Sequence, residues 1–243
     1  MIKEFPKNLI LSFIDLVYPS LCLHCRDSLP KGWSHLCPEC LAKLELIDHK
    51  ERCPYCFTSN YNPGSELCPA CRRLDPILHG MAAAFDYVGP AATLIRKLKY
   101  SDQPYLAKGV GAYLAAQFLE LQWPWPDRII PVPISLTHRL DRGYNQSLLL
   151  AQSMAEILDA PIQEPLIRKS GDFSQAGLNY KQRMNLKATT FILKKEQHLH
   201  DKCLLLIDDV MTTGSTLRRC AEALQEECPA SIYGLTVCRA VKD

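Results

Sequence analysis

The pattern of apolar and polar residues changes near residue 80, and beyond that point short apolar runs alternate with longer amphipathic segments. The short runs predict buried strands over residues 81–88, 128–133, 203–207 and 231–237. The longer segments carry apolar residues at helical spacing and predict helices over residues 91–98, 106–121, 146–158 and 215–227. Strands that alternate with helices favour a parallel sheet with helices on both faces. We therefore predict an α/β domain over residues 81–243.

Cysteine dominates the part of the chain before residue 80. Of the 12 cysteines, eight form four Cys-x-x-Cys pairs, which are Cys22 and Cys25, Cys37 and Cys40, Cys53 and Cys56, and Cys68 and Cys71. The last four of these cysteines repeat the first four after a shift of 31 positions, so the segment contains an internal repeat of two copies. Each copy carries four thiols, which is the ligand number of a tetrahedral zinc site.

The spacing within the repeat favours structural zinc. Two residues between paired cysteines let both sulfurs of a tight turn reach one metal, and a second pair closes the tetrahedron. Segments this short bury too little surface to fold alone, and a structural zinc contributes on the order of 10 kcal/mol to their folding. We predict a double zinc-ribbon-like module over residues 1–80, in which each repeat binds its own ion. Disulfides and a redox dithiol are the alternatives, and the spacing leaves the number of ions and their cysteine pairing open.

The composition is that of an ordinary globular protein, with a net charge of +2, 22% charged residues and 47% hydrophobic residues. These values argue against disorder. The best apolar stretch, Leu9–Val17, contains Asp15 and is too short to cross a bilayer, so we predict no membrane span and a cytoplasmic location. In that compartment thiols are metal ligands or buried residues. The four remaining cysteines lie in apolar segments and are assigned to the core: Cys203, Cys220, Cys228 and Cys238.

The most informative segment, residues 204–216, reads Leu-Leu-Leu-Ile-Asp-Asp-Val-Met-Thr-Thr-Gly-Ser-Thr. A buried strand delivers Asp208 and Asp209 to its C-terminal end, where open α/β sheets bind ligands. Hydroxyl residues and Gly214 then open a helix whose free N–H groups suit a phosphate. Two carboxylates beside a phosphate cradle suit a ribose diol with a divalent cation nearby. A plain N-cap loop is the alternative, although capping needs only one such residue.

Over these thirteen positions the chain resembles the phosphoribosyl diphosphate (PRPP) signature of type I phosphoribosyltransferases. The resemblance implies the fold of that family and a PRPP site that works with Mg²⁺. It implies that Asp208 and Asp209 hold the ribose hydroxyls and belong to the catalytic site. It assigns the 5′-phosphate to the loop that follows, which consists of Thr212, Thr213, Gly214, Ser215 and Thr216.

A second stretch contains Arg139 and Arg142, whose forked donors suit a pyrophosphate. For two loop arginines alone, a solvated surface is the alternative. The whole stretch resembles the ComF family, which joins an N-terminal zinc module to a phosphoribosyltransferase-like domain. The resemblance spans Pro19 to Arg239, and Tyr144 departs from the usual Phe while keeping the ring. Outside the PRPP signature it rests on residues 130–134, His138, Arg139, residues 142–146, Arg96, Lys97, Lys99, Tyr100, Gln175, Leu178, Arg183 and Asn185.

Members of the ComF family are linked to natural competence, the uptake and handling of DNA, and to the use of DNA as a nutrient. The first hypothesis is therefore a DNA-handling protein that binds PRPP and, through basic residues such as Lys97 and Lys99, single-stranded DNA. A conventional phosphoribosyltransferase acting on a small base or amine is the first alternative, with Lys181 and Arg183 as catalytic candidates on a mobile lid. The second alternative is a non-catalytic, nucleotide-sensing scaffold. A competence helicase or another DNA-processing protein is the partner expected for the zinc module.

Overall fold

Parallel strands form the central sheet of the computed structural model, which describes residues 20–73, 76–101, 103–135, 139–140, 142–169 and 191–241. The strands of the described chain are β1 (Gly80–Asp86), β2 (Arg128–Pro131), β3 (Leu166–Arg168), β4 (Phe191–Leu193), β5 (Cys203–Met211) and β6 (Ser231–Arg239). The central sheet has the order β1-β6-β5-β2 and is parallel throughout, whereas β3 and β4 form a separate antiparallel pair. Residues 203–207 are all buried. Because successive residues point to opposite faces of a sheet, both faces are covered, and the predicted α/β class is confirmed.

The helices follow the predicted amphipathic segments closely. They are α1 (Pro38–Leu41), α2 (Gly89–Tyr100), α3 (Leu106–Glu120), α4 (Gln146–Leu158) and α5 (Ser215–Leu224). Helices α3 and α4 approach each other closely, because a Cβ atom at Gly111 would lie 2.5 Å from Ser153 Cβ. Within the described ranges, no helix is both long and apolar enough to span a membrane.

The two cysteine repeats fold into turns of the same shape. The carbonyl of Cys22 accepts a hydrogen bond from the Arg26 N–H at 3.1 Å, and that of Cys53 accepts one from the Phe57 N–H at 2.8 Å. Arg26 and Phe57 both have left-handed backbones, with φ values of 69° and 58°. The sequence repeat is therefore also a structural repeat, which is the property that a double zinc ribbon requires.

The zinc ribbons cover one edge of the central sheet. The Ile47 N–H donates to the Ala84 carbonyl at 2.9 Å, and the Met81 N–H donates to the Tyr55 carbonyl at the same distance. Both bonds go to β1, which has a strand neighbour on one side only. The ribbons thus satisfy backbone groups that an open edge strand would leave free for unwanted pairing.

Two predictions need correction. Strand β5 does not end at Ile207 but continues to Met211, so Asp208 and Asp209 lie inside the strand. Their backbones stay in the sheet because β5 keeps its register with β6 through this stretch. Cys228 is exposed, in contrast to the buried Cys203, Cys220 and Cys238. It follows the short 3₁₀ turn Gln225–Glu227 and adopts a left-handed backbone (φ 48°), which turns the chain away from the core.

Candidate sugar-phosphate site and zinc centres

The acidic pair lies near the C-terminal end of β5, and its first member is a carboxyl of unusual basicity. Asp208 Oδ1 accepts hydrogen bonds from Ser147 Oγ and from the Asp209 N–H, both at 2.9 Å. Burial, followed by the negative charge of Asp209, raises the pKa of Asp208 to about 7, although the hydrogen bonds and the charge of Lys99 oppose this rise. The protonated form of this carboxyl therefore persists to a much higher pH than that of a free aspartate.

The second member of the pair is held as an ion pair. Lys99 Nζ lies 2.7 Å from Asp209 Oδ1, and the two side chains are only 19% and 12% exposed. Lys99 belongs to the last turn of α2, which ends at the same edge of the sheet. The strand accommodates two consecutive acids because Lys99 neutralises Asp209, while burial and the charge of Asp209 favour the protonated form of Asp208.

The loop after β5 presents hydroxyl groups at the start of α5. Gly214 has a left-handed backbone (φ 74°), and a Cβ atom there would lie 2.8 Å from a methionine sulfur, so only glycine fits without strain. The Thr213 hydroxyl donates to Ser215 Oγ at 3.1 Å, and both residues are exposed. Arg239 Nη1 donates to the Thr212 carbonyl at 2.7 Å and fixes the loop from β6. Helix α5 then begins at Ser215 and Thr216, whose N–H groups lie where a helix has no internal acceptors.

Asn145 fixes the N-terminus of α4 next to the acidic pair. Its side-chain oxygen accepts a hydrogen bond from the Ser147 N–H at 3.1 Å, and its Nδ2 donates to the Val132 carbonyl at 3.1 Å. The first contact caps the helix and the second ties it to the segment that leaves β2. Ser147 is thereby positioned to donate its hydroxyl to Asp208.

The segment before α4 contacts the end of α2. The Tyr144 hydroxyl donates to the Leu98 carbonyl at 2.7 Å. The Arg142 guanidinium lies over the Tyr100 ring, 5.1 Å from its centroid. These contacts gather three of the segments on which the family resemblance rests around one edge of the sheet. Arg139 is exposed and lines an adjoining cavity, so it is not part of this contact set.

The eight clustered cysteines form two four-thiol centres. The sulfur atoms of each set all lie within 4.8 Å of one another, and the sets are Cys22, Cys25, Cys37 and Cys40, and Cys53, Cys56, Cys68 and Cys71. In both sets the N–H of the third cysteine donates to the sulfur of the first at 3.4 Å. The predicted consecutive pairing is confirmed, and each set has the ligands of a structural zinc site.

Part of the predicted site falls outside the described residues, namely Lys181 and Arg183 together with His138, Gln175, Leu178 and Asn185. The structure also adds residues that sequence reasoning missed. Ser147 contacts Asp208, and Arg239 contacts the hydroxyl loop. Lys99, which the sequence assigned to the family resemblance and to DNA binding, is instead the ion partner of Asp209. The placement of Ser147 two residues after the capping Asn145, in the first turn of a helix that follows a strand, is the signal that could have indicated it.

The parallel sheet and the acidic pair are typical of a phosphoribosyltransferase-type domain, and the two thiol centres are typical of a double zinc ribbon. A phosphoribosyl transferase domain model matches residues 145–242, and a double zinc ribbon domain model matches residues 13–72. The chain is 30% identical over 217 residues to Competence protein F of Haemophilus influenzae, and the matched stretch covers 84% of this chain and 90% of that protein. It therefore belongs to the ComF family.

Two further relatives match over nearly their full length. The chain is 29% identical over 234 residues to the DNA utilization protein YhgH of Escherichia coli K12, covering 93% of this chain and 100% of that protein. It is 26% identical over 250 residues to Competence protein ComFC of Bacillus subtilis, covering 98% and 92%. These similarities extend across both the zinc ribbons and the sheet.

Proposed function

We propose that this protein handles DNA in the manner of the competence proteins and binds PRPP at the C-terminal edge of its sheet. The observation that carries the PRPP part is the acidic pair, Asp208 and Asp209, followed directly by the hydroxyl loop at the start of α5. The names of its relatives, which refer to competence and to DNA utilization, support the DNA part.

The chemistry of this edge suits a sugar phosphate. Carboxylate oxygens accept hydrogen bonds from a vicinal diol, and Asp208 and Asp209 offer them at consecutive positions near the end of β5. The exposed hydroxyls of Thr213 and Ser215, with the free N–H groups of α5, suit a phosphate. Lys99 adds a cation at the same edge, where a pyrophosphate would carry negative charge.

The acidic pair also fits Mg²⁺, since carboxylate and phosphate oxygens are the ligands that this ion prefers. Asp208 and Asp209 are the residues that would hold it together with the oxygens of PRPP. When bound, Mg²⁺ would offset the charge of the pyrophosphate group.

Isothermal titration calorimetry with PRPP and Mg²⁺ tests this part of the proposal. Asp209→Asn should weaken binding by on the order of tenfold or more, because it removes a charged acceptor. Asp201→Asn is the matched control, since the Asp201 side chain is 80% exposed and faces His200 instead. Failure of the wild type to bind PRPP, or equal affinity of Asp209→Asn, would contradict the proposal.

A cationic cavity of about 750 Å³ beside the N-terminus of α4 supports single-strand binding. Its lining includes Arg139, Arg168, Lys169 and Lys194, and among the described residues that line it Glu164 is the one acid. Contacts between such cations and phosphates release counterions, so affinity should fall steeply with salt.

Fluorescence anisotropy of a labelled oligothymidylate over a salt series measures this dependence. Lys194→Gln should weaken binding and reduce the slope of log affinity against log salt by about 0.7. Lys195→Gln changes the exposed neighbour that does not line the cavity and should leave the slope unchanged. Absence of binding, or binding that ignores salt, would contradict this part of the proposal.

Phosphoribosyl transfer to a small base or amine is a second candidate activity, favoured by the pKa of Asp208 near 7. A group with such a pKa exchanges protons efficiently at neutral pH. Pyrophosphate release with a panel of bases and amines measures transfer, and Asp208→Asn should reduce it. No release with any acceptor, while PRPP still binds, would leave a binding role alone.

A further inference from the structure

A second cationic cavity, also of about 750 Å³, lies between the second zinc ribbon and the hydroxyl loop. Its charged lining residues are Arg52, Arg218 and Arg239, with Asp86 as the acid among them. We call this cavity the arginine cleft. Neither aspartate of the acidic pair lines it, whereas Thr213 of the hydroxyl loop does, so the cleft adjoins the sugar-phosphate site proposed above on the side of the second ribbon.

Among its described lining residues the arginine cleft has three arginines and one carboxylate, beside three cysteines of the second thiol set. Arg52 Nη2 forms an ion pair with Asp86 Oδ2 at 2.8 Å. Among the described residues, Arg218 and Arg239 lie within 4.0 Å of no carboxylate oxygen. The buried Arg218 Nε has no hydrogen-bond partner in the described chain, and its guanidinium lies over the Tyr55 ring at 5.5 Å.

Arg239 is a buried cation at the base of the cleft. It is only 8% exposed, and one of its nitrogens donates to the backbone of the hydroxyl loop. Burial lowers the pKa of its guanidinium below the ordinary value of an arginine side chain. Holding a desolvated guanidinium beside Arg218 and Arg52 is costly unless negative charge lies close by, which Asp86, the thiolates of the second set or an anion in the cleft can supply.

We propose that the arginine cleft binds phosphate groups through its guanidinium groups. Forked guanidinium donors match phosphate oxygens in pairs, and Thr213 and the exposed Ser59 supply hydroxyls at the same cavity. In the part of the chain that the structure describes, no aromatic side chain lines the cleft, which favours contacts to phosphate and sugar over stacking on bases. A nucleic-acid strand and a free phosphorylated small molecule share this chemistry.

The competing explanation is that the arginines serve the zinc centre. Three cysteines of the second set line the same cleft, and a zinc ion with four thiolates carries a formal charge of about −2. In that case, loss of an arginine would release zinc, and the cleft would show no affinity for added anions.

The test uses the full zinc-loaded chain and a charge placed at the exposed rim. Ser59→Glu adds a negative charge and Ser59→Gln adds the same bulk without the charge. Arg218→Gln removes a cation, and Arg73→Gln removes an exposed cation of the same ribbon that does not line the cleft. The probes are a labelled oligothymidylate, measured by anisotropy over a salt series, and inorganic tripolyphosphate, measured by calorimetry. Zinc content is measured for every variant.

We expect Ser59→Glu and Arg218→Gln to weaken binding of one or both probes by on the order of tenfold. Ser59→Gln and Arg73→Gln should leave it unchanged. If the strand is the ligand, Arg218→Gln should also reduce the salt slope by about 0.7. If only tripolyphosphate responds, the ligand is a free phosphorylated molecule.

Three results would overturn the proposal. The first is that neither probe binds. The second is that the four variants bind the probes equally well. The third is that Arg218→Gln changes only the zinc content. Strand binding that responds to Lys194→Gln but not to Arg218→Gln would likewise exclude the arginine cleft while leaving the proposed DNA-handling function intact. PRPP binding is measured separately with Asp209→Asn, so its failure would not affect this result.

Discussion

Replacing Asp208 by Asn should stabilise the protein, although the residue lies at the centre of the proposed site. The amide matches the carboxyl in shape, and its oxygen can still accept from Ser147 Oγ and from the Asp209 N–H. It cannot ionise, however, so it avoids placing a second negative charge next to Asp209. The gain grows once the pH exceeds the unfolded-state pKa, because the unfolded wild type then ionises freely while the folded wild type must either bind a proton or bury the charge.

The magnitude follows from the difference between the folded and unfolded pKa values. The folded-state pKa of about 7 lies above the ordinary 3.8, so the folded chain binds this proton more tightly than the unfolded chain does. The associated stability is complete below the unfolded pKa and is lost as the pH rises through about 7. The free energy of unfolding of Asp208→Asn should therefore exceed that of the wild type by about 3 kcal/mol near pH 6 and by about 4 kcal/mol near pH 8.

The assay is urea unfolding of zinc-loaded wild type and Asp208→Asn across this range of pH. Because both proteins carry the same zinc centres, effects of pH on metal binding cancel in the difference. Glu222→Gln makes the same chemical change at an exposed position of α5 and should show no gain that depends on pH. A variant no more stable than wild type, or a gain that does not change with pH, would refute the desolvation argument.

Three further changes test other parts of the structure. Gly214→Ala should cost about 1–2 kcal/mol because it forces a left-handed backbone and a close contact, whereas Gly109→Ala, in open space on α3, should gain about 0.5–1 kcal/mol. Equal melting temperatures of the two variants would contradict this. Lys99→Met should lower the free energy of unfolding by about 3 kcal/mol at neutral pH, because it leaves the buried charge of Asp209 unpaired. A loss of stability no larger than that of Lys97→Met, on the same helix, would contradict the ion-pair argument. Cys68→Ser should retain the first of the two zinc centres, so metal analysis should fall by half, and loss of both ions would show that the centres are coupled.

Continuous apolar runs made the strands predictable, but the ends of those strands were not. The predicted end of β5 at Ile207 followed from the first polar residue, yet pairing with β6 continues as far as Met211. Partners that a sequence pattern cannot indicate make this extension possible, since Ser147 and Lys99 come from α4 and α2. Strands β3 and β4 have three residues each, and their pairing across a distant stretch of chain leaves no local signal.

The chemistry of the site was predictable to a similar degree. The hydroxyl loop and the thiol sets are local patterns, so their spacing alone indicated what they could bind. Arg239 and Arg218 carried no such pattern, because each is a single cation within an otherwise ordinary strand or helix. Only the packing of the second ribbon against the sheet brings them together in one cavity.

This packing makes the zinc ribbons part of the structure around the site rather than an appended module. The backbones of Ile47 and Tyr55 satisfy the outer edge of β1, and Arg52 holds Asp86 at the end of the same strand. Loss of zinc would therefore free an edge strand and an acid within the sheet, in addition to unfolding the ribbons. Since β1 is the neighbour of β6, which carries Arg239 against the hydroxyl loop, the metal centres and the proposed phosphate sites depend on the same edge of the fold.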